Sequence, residues 1–191
     1  MTGAAFCLFD TVIGTAAVAW RGEALVATWL PEASREALEA AVRRRLPEGA
    51  QSDPPAAIAR AIGAVVRLLA GEAEDLDFVE IDLDGVAAFD ASVWLAARAI
   101  PPGETLTYGT LAARIGEPGA ARAVGAALGR NRFPIVVPCH RILAATGTGG
   151  FSAPGGRGTK LRLLEIERAA LPGEAPGLFE ALPLRLAPER R

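Results

Sequence analysis

Cysteine, histidine, tyrosine and lysine are all scarce in this chain: two cysteines and one each of the others in 191 residues. Cys7 and Cys139 cannot form the disulfide framework of a small secreted domain, and with 51% hydrophobic residues the chain has core enough without one. Both therefore read as reduced thiols. No apolar run approaches the roughly 20 residues of a membrane span, and Met1 to Asp10 lack the basic region and cleavage site of a signal peptide. A soluble, cytoplasmic protein without membrane contact is expected. No internal repeat is present.

A large charge of one sign is also lacking, since the net charge is −2. Its distribution is uneven. Residues 1–85 carry a net −7, whereas Tyr108 to Arg162 carry +7 with Glu117 as the one acid. Such a basic stretch is the local signature of a phosphate-binding surface, with a solvated basic face as the other reading.

The stretch Asp82-Leu83-Asp84-Gly85 reads as the end of a unit and predicts a domain boundary near residues 84 to 88. Phe6 to Ile13 and Thr15 to Leu30, rich in β-branched and aromatic residues and broken by Gly14 and Arg21-Gly22-Glu23, predict antiparallel strands. Leu38, Val42 and Leu46 after Pro31 predict a helix. Asp53-Pro54 is expected to cap a second one through Ile58, Ile62, Val65, Val66 and Leu69. Phe78, Val79, Ile81 and Leu83 suggest a further strand. This predicts an α/β unit over 1–85, with a small antiparallel sheet and helices.

The second unit, 86–171, reads as mainly α. A helix from Phe89 to Ile100 ends at Pro101-Pro102-Gly103. Two short helices, Tyr108 to Ile115 and Pro118 to Leu128, join at Gly116-Glu117 in a helix-turn-helix pattern. A strand is expected at Pro134 to Val137, a glycine-rich loop at Gly147 to Gly158, and a final helix from Thr159 to about Ala170. Residues 172–191, with four prolines, read as a tail.

Pro138-Cys139-His140-Arg141 carries the chemistry. A thiol of ordinary pKa near 8.5 is about 3% ionised at neutral pH, and the thiolate is the nucleophile. The single histidine directly follows this cysteine, which points to a thiolate–imidazole site. Adjacent side chains of an extended strand face opposite ways, so a water-bridged relay suits the pair better than direct contact. Glu167, at i+7 from Lys160 on the apolar stripe with Leu163 and Leu164, is the candidate to orient the imidazole; a stripe-edge Glu reaching solvent is the other reading.

From Gly119 to Ala127 every residue is Gly or Ala except Arg122 and Val124. A helix this slim packs closely on another helix or enters a narrow groove, and Arg122 on its surface suits the negative minor groove of DNA. Gly149 to Gly156 has neither a Walker lysine nor a dinucleotide fingerprint. Cys7, between Phe6 and Leu8, reads as an inert core thiol.

Ile135-Val136-Val137-Pro138-Cys139-His140-Arg141-Ile142 resembles the active-site motif of the O6-alkylguanine-DNA alkyltransferases, the methylated-DNA protein-cysteine methyltransferases. The resemblance runs from about Phe89 to Glu167 and includes Thr107-Tyr108-Gly109, Ala121 to Gly125, Asn131 and the Lys160 helix. It implies an RNase H-like N-terminal domain and a winged-helix-like C-terminal one. It also implies in-line, irreversible, once-only alkyl transfer from guanine O6 to Cys139, with O4-alkylthymine as a second candidate substrate.

In this family His140 would act through water, held by Glu167, while Asn131 braces the recognition helix. Tyr108 would crowd the phosphate and donate to the guanine ring. Arg122 would fill the stack left by the flipped nucleotide, with Ala121, Ala123, Gly125 and Arg130 along the DNA. Leu128, Ile142, Phe151, Ser152 and Lys160 would form the substrate pocket, the carbonyls of Cys139 and Ile142 receiving the exocyclic amine and the Ser152 amide facing O6. Flipping is required, because in-line attack on O6 cannot be arranged inside a stacked pair.

Two departures bear on the pocket: the extra residues Ala153-Pro154, and Phe151 where tyrosine is common. Some members bind zinc in the N-terminal domain, but Cys7 alone cannot build that site. The expected partner is the minor groove of duplex DNA carrying O6-alkylguanine, engaged by a monomer without cofactor or metal. The competing functions are a non-catalytic helix-turn-helix regulator or damage-binding protein, and a cysteine hydrolase.

Overall fold

The computed structural model describes residues 3–169; the tail expected over 172–191 lies outside them. Three strands, β1 (Ala5–Thr11), β2 (Gly14–Arg21) and β3 (Ala24–Trp29), form an antiparallel meander. Its first turn is tight: Gly14 adopts φ 126°, where a Cβ would press on the Pro31 ring at 3.0 Å. A fourth strand, β4 (Ala50–Gln51), pairs parallel to β1, giving the order β3-β2-β1-β4. The expected antiparallel sheet is thus mixed. A two-residue strand carries almost no periodicity by which sequence could reveal it.

Alternation along the strands buries both faces. Helix α1 (Arg35–Arg45), capped by the Ser34 hydroxyl on the Ala37 amide, lays Leu38 and Val42 against Phe6, Ala17, Ala19 and Val26. Helix α2 (Ala56–Leu69) covers the other face, with Ile58, Val65 and Leu68 in the cluster that holds Val18, Trp20 and Leu25. Asp53 does not cap α2. The cap position is Pro55, without a side-chain bond, because Pro54-Pro55 keeps the chain extended for two further residues.

The strand expected over Phe78 to Leu83 shrinks to one bridge, Ile81 to Leu25. Local polar groups win there. Arg98 donates to the carbonyls of Leu76, Asp77 and Val79, and the carboxylates of Asp75 and Asp82 accept from the amides of Asp77 and Asp84, so the segment turns.

Beyond it come α3 (Ala88–Arg98), β5 (Leu106–Thr107), α4 (Tyr108–Arg114), α5 (Ala121–Gly129), a 3-10 turn at Cys139–Arg141, β6 (Ile142–Leu143) and α6 (Gly156–Ile166). Strands β5 and β6 pair in parallel, a small sheet that periodicity did not predict. Helix α6 starts three residues earlier than expected. The main core runs from the α2-facing side of the sheet through Val93, Trp94, Leu111, Val124 and Phe133 to Cys139. No helix among the described residues is long and apolar enough to cross a membrane.

Candidate active site

Two helices joined by a turn form at the expected place, the second starting three residues later than Pro118, at Ala121. The Thr107 hydroxyl accepts from the Thr110 amide at 3.0 Å to start α4, and Gly116, at φ 80°, ends it. Helix α5 is anchored from below: Trp94 Nε1 donates to the Ala127 carbonyl at 2.9 Å, and Val124, Ala127 and Leu128 are buried. Arg122 and Ala123 stand on the exposed side, with Ala121 half-buried. Among the described residues Arg122 has no hydrogen-bond or ion-pair partner. Arg130 is engaged instead, gripping the buried Asp90 at the start of α3 with bonds of 2.6 and 2.8 Å. Sequence reading missed that pair, although Asp90 in a first helical turn was a visible signal.

Gly125 costs about 1 kcal/mol of helix propensity relative to alanine. No internal clash demands it, because a Cβ there would meet the Tyr108 ring at an ordinary 3.7 Å. The room it leaves faces outward, into the cavity beside Tyr108.

The segment before the cysteine is not the expected strand. Pro134 and Pro138 remove two ladder donors, and the Val137 amide turns back to the Phe133 carbonyl at 2.7 Å. Ile135 is forced to φ 75°, a strained setting for a β-branched residue. The fold holds it there through Thr28, whose hydroxyl donates to the Pro134 carbonyl and whose amide donates to that of Arg132. Cys139 therefore opens a 3-10 turn rather than ending a strand, and the alternation that separated Cys139 from His140 does not apply.

Around that turn the expected residues converge. Asn131 Nδ2 donates to the Val137 carbonyl at 2.9 Å and to Cys139 Sγ at 3.3 Å, tying the end of α5 to the sulfur. His140, fully buried, bonds through Nε2 to Glu167 Oε1 at 2.9 Å, while its Nδ1 is buried without a protein partner among the described residues. Glu167 sits just past α6, and Arg141 clamps it from the other side, Nε to Oε2 at 2.8 Å and a terminal nitrogen to Oε1 at 2.7 Å. A further Arg141 nitrogen donates to the Ile100 carbonyl at 2.5 Å. Sequence reading gave Arg141 no role beyond its place in the motif.

Burial pushes the Cys139 thiol up; the Asn131 bond, the Lys160 ammonium and nearby backbone amides pull in the other direction without overcoming it. Burial also lowers the His140 pKa, so the imidazole rests neutral despite Glu167. For Glu167 burial works upward, yet the bonds from His140 and Arg141 bring the carboxyl down to about 2. The resting site is thus a protonated thiol beside a neutral base whose tautomer a carboxylate can set.

A cavity of about 320 Å³ opens on the sulfur, lined by Tyr108, Gly125, Leu128, Cys139, Phe151 and Ser152 among others. It is small for a ligand site, near the low end of the roughly 300–1,000 Å³ such sites span. Beneath it Lys160, fully buried, donates to the carbonyls of Ile142 at 2.5 Å and Gly150 at 3.3 Å, and its pKa falls to about 8 through burial. The Ile142 side chain lies in the core, so its backbone carbonyl is what it offers to the site, with one lone pair already engaged by Lys160.

A cavity-facing cysteine followed by a buried, carboxylate-bound imidazole at the foot of a helix-turn-helix is an arrangement suited to covalent thiol chemistry in a unit shaped for nucleic acid. Residues 88–169 match the family described as 6-O-methylguanine DNA methyltransferase, DNA binding domain. A methylated-DNA–protein-cysteine methyltransferase of Mycobacterium tuberculosis is 45% identical over 121 residues, 63% of this chain and 71% of that relative. The crystal structure of the M. tuberculosis O6-methylguanine methyltransferase superposes with a TM-score of 0.73 at 36% identity, covering 90% of this chain and 96% of that one. A structure of M. tuberculosis OGT in complex with DNA does so with a TM-score of 0.69 at 38% identity, covering 85% and 92%. The chain belongs to the methylated-DNA–protein-cysteine methyltransferase family.

Proposed function

We propose that this protein repairs alkylated duplex DNA directly, moving the alkyl group from guanine O6 to Cys139 once per molecule. One observation carries the reading: the sulfur faces a base-sized cavity while an unsatisfied imidazole nitrogen stands one residue along the chain. The neutral His140 takes the thiol proton on Nδ1 through a water, and Glu167 stabilises the resulting imidazolium through Nε2–H. The sulfur attacks the alkyl carbon, an S–C bond forming as the C–O6 bond breaks. The electron pair leaves with guanine, to which the Tyr108 hydroxyl donates a hydrogen bond, and the proton held on His140 returns through water to neutralise the departing base. No step restores the thiol, so the protein is consumed. The same in-line geometry extends to O4-alkylthymine.

The damaged base reaches the cavity by flipping, with α5 in the minor groove, Ala121, Ala123 and Gly125 allowing close approach, and Arg122 entering the vacated stack. The protein acts as a monomer. The sheet order with β4 parallel to β1 supports an RNase H-like unit over 1–85, and the β5–β6 pair beside α4 and α5 supports a winged-helix-like unit over 86–171. A binding-only regulator would have no use for a buried base beside a thiol, which disfavours that reading.

Incubation with a duplex oligonucleotide containing O6-methylguanine tests the proposal. The intact protein gains the mass of one methyl group, located on the Cys139 peptide, and Cys139→Ala gains none; repair of more than one equivalent of DNA per molecule would contradict it. For Arg122, unstacking a base costs a few kcal/mol that the inserted side chain offsets. Arg122→Ala is expected to slow repair in duplex by about ten- to a hundredfold, and to slow reaction with free O6-benzylguanine much less. Equal losses in the two assays would remove the insertion role.

A further inference from the structure

Cys139 is approached from a second side. A groove of about 210 Å³ runs between the edge of β3 and the loop after Gly150, and it shares Gly129, Cys139 and Ser152 with the base cavity. Two arginines from distant parts of the chain line it, Arg45 from the last turn of α1 and Arg132 from the turn after α5.

Arg132 is fixed in place: it lies 5.8 Å from the centroids of both the Trp94 and Phe133 rings and donates to the Asp84 carbonyl at 3.3 Å. Arg45 makes no hydrogen bond or ion pair among the described residues, although its neighbour Arg43 is paired with Glu39. Glu32, the one acid in the lining, forms no ion pair with either arginine, and counting it leaves the groove positive. Arg45 is solvent-exposed, and the Arg132 charge adds to a larger effect of desolvation in lowering its pKa, so the two like charges are close enough to feel each other. A protein gains nothing from such an arrangement by itself; an anion between the two groups relieves it.

We propose that this groove holds a backbone phosphate of the damaged strand, so that Arg45, in the acidic N-terminal half, joins Arg132 in fixing the strand whose base enters the neighbouring cavity. The proposal rests on the repair function above. The shared wall of Gly129, Cys139 and Ser152 supplies the geometry, because it sets the groove directly beside the cavity that takes the base.

The test is the salt dependence of binding to a duplex oligonucleotide containing O6-methylguanine, using Cys139→Ala as the parent so that no alkyl transfer intervenes. Each phosphate contact contributes about 0.9 to the slope of log affinity against log salt. Arg45→Gln on that parent is expected to reduce the slope by about that amount. Arg44→Gln, which removes the same charge one residue away and outside the groove, leaves it unchanged. Melting curves in inorganic phosphate form the second arm and show that the variants fold.

Equal slopes for parent and Arg45→Gln overturn the proposal. So does a phosphate-induced rise in melting temperature that needs Arg45 while the DNA slopes stay equal, because the groove would then take a free anion. Equal loss of slope in Arg44→Gln also overturns it, as the effect would be one of general charge. Failure of the repair reading would be seen separately, as the unmodified protein gaining no methyl group from damaged duplex.

Discussion

Replacing His140 with glutamine is expected to lower the single-turnover rate of alkyl transfer at neutral pH by about 10²–10⁴-fold, the contribution of a positioned general base. Burial holds the Cys139 thiol protonated in the resting protein, so attack must be coupled to proton removal. The His140 imidazole is neutral and bonded to Glu167 through Nε2, which leaves Nδ1 as the accepting atom. In the unaltered protein the rate falls on acidification, as the imidazole takes up a proton below the ordinary histidine range near 6.5. In His140→Gln that acid limb disappears, and the rate climbs with alkaline pH as the thiol ionises directly. Rates of repair of a labelled O6-methylguanine duplex, measured from acid to alkaline pH, decide the matter. An unchanged profile would take His140 out of the proton path.

Glu167→Ala is expected to destabilise the fold by about 3–5 kcal/mol, because it leaves the buried Arg141 guanidinium without its anion. The side chains of Arg141 and Glu167 are 6% and 4% exposed, so solvent cannot take over. Against a typical total of about 5–15 kcal/mol, a loss of this size moves the denaturant midpoint strongly. Adding Arg141→Met recovers part of it by removing the stranded charge. A wild-type midpoint for Glu167→Ala would show that the ion pair does not hold the site together.

The same pair contributes to the acid stability. The Glu167 carboxyl, at about 2 in the fold and near 4.3 when unfolded, stabilises fully above the unfolded value, and this stability is lost as the pH falls toward about 2. His140 acts in the same direction at higher pH. Its folded pKa lies below the unfolded 6.5, so acidification below that value lets the unfolded chain take a proton that the fold resists. Unfolding free energy should therefore decline in two stages, and Glu167→Ala should lose part of the lower one, the remainder coming from Asp90, which Arg130 also holds below its ordinary value.

Much of this was legible in the residue pattern. The meander follows from β-branched runs broken at Gly14 and Gly22, the helix-turn-helix from two short helical runs joined at Gly116-Glu117, and the site from one histidine placed directly after a cysteine. Two expected strands did not form, at 78–83 and 134–137, because prolines, Arg98 and local carboxylates offered the backbone other partners. Asn131 and Glu167 were reached through family resemblance and the α6 stripe, whereas the Arg141 clamp, 26 residues from its partner, had no local signal.

The sequence by itself determined which residues could react, which segments would form helices, and which half of the chain is basic. Tertiary structure alone decided that the thiol rests protonated, that the imidazole rests neutral with one nitrogen unbound, and that Arg45 and Arg132 meet in one groove. Periodicity specifies which face of an element is buried and leaves open what lies opposite it. A pKa or an ion pair depends on that opposite surface, and on how much water the packing excludes.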